Sequence, residues 1–257
     1  MSNSPNLERQ RLGLPRLVRA CLFDLDGVLT ETANLHAAAW KRVFDAYLRE
    51  RSDGTGEPIA TFDLRNDYDV YIDGKPRFEG VRDLLASRGL TLPEGTPADP
   101  PDTKTVHGLG NCKNELLLHL LRREGVNAYP GSLRYLRAAS AAHVPLAVVS
   151  ASTNTRDVLT AAGIGDVFEV CIDGRTAAEQ GLRGKPAPDT FLAATRALAV
   201  DPIDAAVFED ALAGVAAGRA GGFGVVVGVD RVGHAAALRE HGADLVVSDL
   251  SDLLERR

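Results

Sequence analysis

Apolar and polar positions along the chain fall into two regimes. Short, non-alternating apolar runs rich in β-branched residues occur at 17–23 ("LVRACLF"), 144–150 ("VPLAVVS"), 205–209 ("AAVFE"), 223–229 ("FGVVVGV") and 243–248 ("ADLVVS"). Such runs predict strands covered on both faces. Helical patterns stand between them: "TNTRDVLTAAG", with Gly163 as its stop, "DALAGVAAGRAGG", "HAAALREHG", and a short helix after the last run. Strands alternating with helices predict a doubly wound α/β domain around a parallel sheet.

Residues 33–127 break this rhythm. Helical patterns occur at 34–50, 78–89 and 111–124 without apolar strands between them. Two polar stretches, 51–77 and 91–110, are rich in Gly, Pro and Asp and read as loops. The pattern predicts a helical cap domain over 33–127, inserted after the first strand of a discontinuous core domain of 1–32 and 128–257.

Composition narrows the function without naming it. The 257 residues are 45% hydrophobic and 25% charged, ordinary for a globular chain with a real core. A net charge of −6 argues against nucleic acid or an anionic membrane as partner. Cys21, Cys112 and Cys171 have no paired spacing and read as free thiols in a reducing compartment. The opening "MSNSPNLERQRLGLPR" lacks an apolar core and reads as a polar tail, not a signal peptide. No stretch approaches the length of a membrane span. A cytoplasmic monomer is expected.

Four short stretches carry the candidate chemistry. "DLDGVLT" follows the first strand and places Asp24 and Asp26 two apart, on one face of an extended chain. "SASTN" (150–154) follows the second, "GKPAPD" (184–189) comes later, and Glu209–Asp210 ends another strand. Parallel sheets place their sites at these carboxyl ends, where all four stretches are expected. Singly, each has a plain structural role: Ser152, Thr153 and Asp210 as N-caps, Pro186 and Pro188 as a helix start, Lys185 as a solvated loop residue. Together they gather carboxyl groups around one point, which requires a hard cation, and oxygen ligands without Cys or His select Mg²⁺. Ser150 and Lys185 would then meet a phosphate, an arrangement suited to phosphoryl transfer. The glycines of "GRAGGFG" (218–224) lie between helix and strand, the reverse of a dinucleotide fingerprint, and predict a tight turn.

In order, "DLDGVLT", the serine after "AVV", the lysine of "GKPAPD" and the acids of "VFEDALAG" resemble the four motifs of the haloacid dehalogenase superfamily. Within it, "FDLDGVLTET", "SASTN", "KPAPDTF" and "EDALAGVAAG" resemble the β-phosphoglucomutase family. The resemblance implies that Asp24 is the nucleophile, forming an aspartyl-phosphate, and that Asp26 is the general acid and base. It implies Mg²⁺ held by Asp24, the Asp26 carbonyl, Glu209 and Asp210, with Ser150 and Lys185 on the transferring phosphate and Ala151, Ser152 and Asn154 beside it. Thr32 and His36 match family positions near the hinge and the general acid and base, with His36 counted among the catalytic residues. Arg82 in "EGVRD", across a one-residue gap, matches a cap arginine that grips the distal phosphate, and Lys113 and Asn114 match a sugar-contacting pair. Trp40, one helical turn from His36, reads as packing. The activity implied is interconversion of β-D-glucose 1-phosphate and glucose 6-phosphate through glucose 1,6-bisphosphate. A sugar-phosphate phosphatase with the same first half-reaction is the alternative, and a non-catalytic binding protein a third reading.

Overall fold

A computed structural model describes residues 12–15 and 18–255. Most of the expected N-terminal tail, and Leu17 of the first apolar run, lie outside them. The chain divides into two compact units, one of residues up to 31 and from 126 onward, the other of 32–125. Thr32, read above as the last core residue, falls in the second unit.

The helical unit is built on α1 (Ala33–Thr55), α2 (Arg77–Ser87) and α3 (Val106–Glu124). Its core is aromatic: Trp40 stacks on Phe44 at 4.9 Å and Phe44 on Phe62 at 5.1 Å, with Ile72, Val81, Leu84 and Val106 around them. Two boundaries differ from the sequence reading. Helix α1 runs through "RSDGT", because Gly56 at φ +73° supplies the left-handed stop and its N–H closes on the Ser52 carbonyl. Helix α3 begins at Val106, since the Thr105 side chain accepts the Gly108 N–H at 2.9 Å. The stretch 51–77 also holds a short π-helical turn, Tyr68–Ile72. Glycines within α3 obscured its first turns. A Cβ on Gly110 would lie 2.7 Å from the Phe78 ring, so the glycine marks close packing of α2 on α3.

The other unit is a six-stranded, wholly parallel sheet: β1 (Ala20–Phe23), β2 (Leu146–Val149), β3 (Val170–Ile172), β4 (Ala205–Glu209), β5 (Val225–Val229) and β6 (Leu245–Val247). Their order is β3-β2-β1-β4-β5-β6. Strands β1, β2, β4 and β5 are buried along their whole length, as expected for a sheet covered on both faces. The accompanying helices are α4 (Pro130–Ala141), α5 (Thr155–Ala161), α6 (Gly174–Glu179), α7 (Asp189–Ala197), α8 (Leu212–Ala220), α9 (Ala235–Glu240) and α10 (Ser251–Leu254). Phe23 and Phe208 stack at 4.4 Å on neighbouring strands, with Tyr135 of α4 against both. The "GRAGGFG" segment is the tight turn from α8 into β5. Among the described residues, no helix is long and apolar enough to cross a membrane.

Strand order places the reversal of winding at the centre of the sheet. From β1 the chain builds outward to β2 and β3, then returns to β4 on the opposite side of β1. The carboxyl ends around β1 therefore form the crevice where such sheets bind ligands.

Candidate active site

Register brings distant residues together. Phe23 pairs with Phe208 on one side and Val148 on the other, and the Asp24 N–H donates to the Phe208 carbonyl at 2.9 Å. Asp24 thus leaves β1 beside Glu209, the last residue of β4, and near the end of β2, where Ser150 follows. Carboxylate oxygens of Asp24, Glu209 and Asp210 lie within 4.8 Å of one another. The two glycines beside them are spaces for carboxylates. A Cβ on Gly27, which sits at φ +86°, would fall 1.7 Å from Asp210 Oδ2, and one on Gly214 would fall 1.7 Å from Glu209 Oε1. Sequence reading passed over both, because Gly27 looks like an ordinary turn and Gly214 like one small residue in a helix of small residues.

Lys185 sits at the middle of the cluster. Its Nζ is 2.5 Å from Asp24 Oδ1, 2.5 Å from Glu209 Oε1 and 3.1 Å from the Val149 carbonyl, with the Phe191 ring 5.0 Å away. The contacts to Asp24 and Val149 are hydrogen bonds, and that to Glu209 is an ion pair. One alternative falls away and one expectation is corrected. Lys185 is buried, not solvated, and it arrives on the loop between α6 and α7, not at a strand end. The capping roles considered for Ser152, Thr153 and Asp210 also fall away. Asn154 and Ala211 occupy the N-cap positions of α5 and α8, without side-chain caps. Helix α7 starts after Pro188.

The electrostatics follow from burial. Glu209 is wholly buried, which pushes its carboxyl up to about 7; Lys185 opposes that shift and Asp24 adds to it. Burial likewise raises Asp24, against the pull of Lys185 and with a push from Asp26. Burial alone would lower Lys185, yet the carboxylates of Asp24 and Glu209 hold its ammonium above the usual lysine range. One buried cation stands against the three clustered acids Asp24, Glu209 and Asp210, so negative charge is in excess. Hard oxygen donors, that excess, and glycines leaving room for two of the carboxylates fit a divalent cation bound by Asp24, Glu209 and Asp210.

The serine loop packs nearby. Ser150 is buried, and its Oγ accepts the Ser152 N–H at 3.1 Å. Ser152 Oγ accepts the Asn154 N–H at 3.2 Å, and Asn154 is itself buried. The Ser152 carbonyl takes the N–H of Gly174, which follows β3. Ala151 lies half-buried in the same loop, its carbonyl close against Gly174. Gly174 follows Asp173, a buried acid outside the sequence reading, which caps α6 at the Thr176 N–H and pairs with Arg156 at 3.4 Å.

The sequence and the fold find their counterpart in known proteins. A model of haloacid dehalogenase-like hydrolases matches residues 18–222. The chain belongs to that family. Among haloacid dehalogenase-like relatives, it is 56% identical over 255 residues to the β-phosphoglucomutase of Mycobacterium tuberculosis, covering 98% of this chain and 97% of that protein. It is 32% identical over 237 residues to the β-phosphoglucomutase of Bacillus subtilis, covering 92% of each. The crystal structure of a β-phosphoglucomutase from Clostridium difficile superposes with a TM-score of 0.70 at 26% identity, over 92% of this chain and 93% of that one.

The remaining predicted residues lie in the helical unit. Lys113 is buried on α3, and its Nζ lies 3.1 Å from His36 Nδ1 on α1 and 5.2 Å from the Trp40 ring. Burial and the Lys113 ammonium together hold His36 well below the usual histidine range, so the imidazole is neutral at ordinary pH. Trp40 is part of the core, as expected. Asn114 follows Lys113, half-buried. Buried Thr32 offers its carbonyl to the N–H groups of Leu35 and His36. Arg82 is not grouped with these residues. Its guanidinium grips Glu94 at 2.5 and 3.1 Å, and Glu94 also meets His107 Nε2 at 3.3 Å.

Proposed function

We propose that this chain interconverts β-D-glucose 1-phosphate and glucose 6-phosphate by phosphoryl transfer through Asp24. The observation that carries this reading is the Asp24–Lys185–Glu209 cluster with Asp210 beside it, in a chain 56% identical to a β-phosphoglucomutase over nearly its whole length.

In this reading Asp24 carries a phosphoryl group as an acyl phosphate. The 6-hydroxyl of β-glucose 1-phosphate attacks that phosphorus while Asp26 takes the hydroxyl proton. The bond from phosphorus to the Asp24 oxygen breaks, leaving a carboxylate and glucose 1,6-bisphosphate. The bisphosphate turns end for end. Asp24 then attacks the 1-phosphate, and Asp26 returns its proton to the departing sugar oxygen, releasing glucose 6-phosphate. Ser150 and Lys185 orient the transferring group, with the loop of Ala151, Ser152 and Asn154 lining it. Bound Mg²⁺, held by Asp24, the Asp26 carbonyl, Glu209 and Asp210, supplies charge neutralisation for that group.

Water competes with the sugar hydroxyl for the acyl phosphate, so a mutase must exclude it. We assign that task, and sugar recognition, to the helical unit acting as a cap, through Thr32, His36, Arg82, Lys113 and Asn114. Arg82 would exchange Glu94 for the distal phosphate. The test is a product balance. With β-glucose 1-phosphate, Mg²⁺ and a trace of glucose 1,6-bisphosphate, glucose 6-phosphate should account for the substrate consumed. Stoichiometric inorganic phosphate would replace the mutase with a phosphatase, and no turnover of any sugar phosphate would remove the enzyme reading.

A further inference from the structure

The turn that carries Asp26 is tied down carbonyl by carbonyl. Thr30 donates its N–H and Oγ1 to the Leu25 carbonyl, Ser132 Oγ donates to Val28 at 2.6 Å, and the Tyr129 N–H donates to Leu29 at 3.0 Å. Gly27, directly after Asp26, is held differently. Its carbonyl accepts Nε of Arg231 at 3.0 Å, from the loop after β5, 204 residues away in sequence. The same guanidinium donates through Nη1 to the Ser248 carbonyl at 2.8 Å and to Asp249 Oδ2 at 3.2 Å. Its plane lies over the Tyr129 ring, 3.7 Å from the centroid. One rigid fork thus joins the Asp26 turn, the segment after β6, and the strand-like return at 127–129, where Ala128 bridges Thr30.

We propose that Arg231 is a positioning residue for the reaction: by fixing the Gly27 carbonyl it aims the Asp26 carboxyl at the oxygen that gains or loses a proton. Gly27 has φ +86° and no side chain, so its own preferences hold the turn weakly. Its N–H, in the peptide plane shared with Asp26, donates to the Thr30 carbonyl at 2.8 Å, and Arg231 holds the plane on its other side, so together the two anchors set the direction of the Asp26 backbone. A planar, always-charged fork with several fixed donors suits this task, whereas a lysine ammonium on a flexible stem would reach one acceptor at a time. The proposal rests on Asp26 serving as the acid and base.

The experiment compares reactions that need that proton with one that does not. Acetyl phosphate transfers its phosphoryl group to Asp24 with acetate leaving unprotonated, whereas a sugar phosphate needs its leaving oxygen protonated. In Arg231→Gln, labelling of Asp24 by acetyl phosphate should stay within about twofold, while kcat for β-glucose 1-phosphate falls by about 10- to 100-fold with KM little changed. With aryl phosphates, the rate of Asp24 phosphorylation should depend more steeply on leaving-group pKa in the variant than in the parent. Arg231→Lys should fall between the two, and provides the comparison if Arg231→Gln does not fold. Equal loss in both reactions with a lowered melting temperature, or no loss in either, would overturn the assignment. If the parent turns over no sugar phosphate, the mutase reading fails, but the aryl phosphate series still decides the role of Arg231.

Discussion

Asp24 and Asp26 are two positions apart and stand in different surroundings. Asp24 contacts Lys185 and lies within reach of Glu209 and Asp210, whereas Asp26 is half-buried at the turn. Asp24→Asn should therefore yield no phosphoenzyme and no turnover. Asp26→Asn should still accept phosphate from acetyl phosphate while losing about 10²- to 10⁴-fold on sugar phosphates, as mass spectrometry and product assays would show. Normal turnover in Asp24→Asn would refute the nucleophile. Glu209 supplies a pH test. Its carboxyl moves from the ordinary 4.5 to about 7 on folding, so the folded state binds the proton more readily. The associated stability is fully present below 4.5 and lost as pH rises through about 7, at most about 3 kcal/mol. Metal-free protein should lose melting temperature over that interval more steeply than Glu209→Gln, and Mg²⁺ should restore it at the alkaline end. Identical slopes would show that Glu209 does not titrate as assigned.

Elements were legible where their residues announce a period or a stop. The runs containing β1, β2, β4, β5 and β6 are mostly apolar, and Gly163, at φ +68°, lies just past the end of α5. Strands β3 and β6 both have three residues, an edge position and partial burial. The difference is in their residues: β6 reads Leu-Val-Val, whereas β3 has Cys171 at its centre and Glu169 directly before it, which breaks the apolar run. The acids and the serine were visible because each ends or follows an apolar run, but the partners of Lys185 were not, since a loop residue's destination depends on tertiary packing. Gly214 in α8 puts this dependence to a test. At an ordinary helical site, Gly→Ala stabilises by about 1 kcal/mol. Here the added methyl meets the Glu209 carboxylate, so Gly214→Ala should instead destabilise by about 1–3 kcal/mol and weaken Mg²⁺ binding. Denaturant titration and calorimetry would measure both, and a stabilised variant would mean that Glu209 has room to spare.

At the scale of the molecule, each unit owns its core. Asp24, Val149 and Glu209, which hold Lys185, belong to the sheet unit, whereas Trp40, Phe44 and Phe62 hold the helical unit together. Phe44→Ala should cost about 3–5 kcal/mol and be felt where the helical unit is needed. Below its melting temperature, this variant should still label Asp24 with acetyl phosphate but form less glucose 6-phosphate. Equal loss of both would mean that Asp24 chemistry depends on the aromatic core.

The Asp24–Lys185 pair spans 161 positions of the chain. Translation delivers Asp24 almost at once, and its counter-charge only after most of the polypeptide has been made. Glu209 and Asp210 follow later still. With Asp24 as the proposed nucleophile, a stalled or prematurely terminated product that carries the first motif intact should bind no metal and transfer no phosphate. Phosphorylation of Asp24 should then appear only once synthesis has passed the fourth strand.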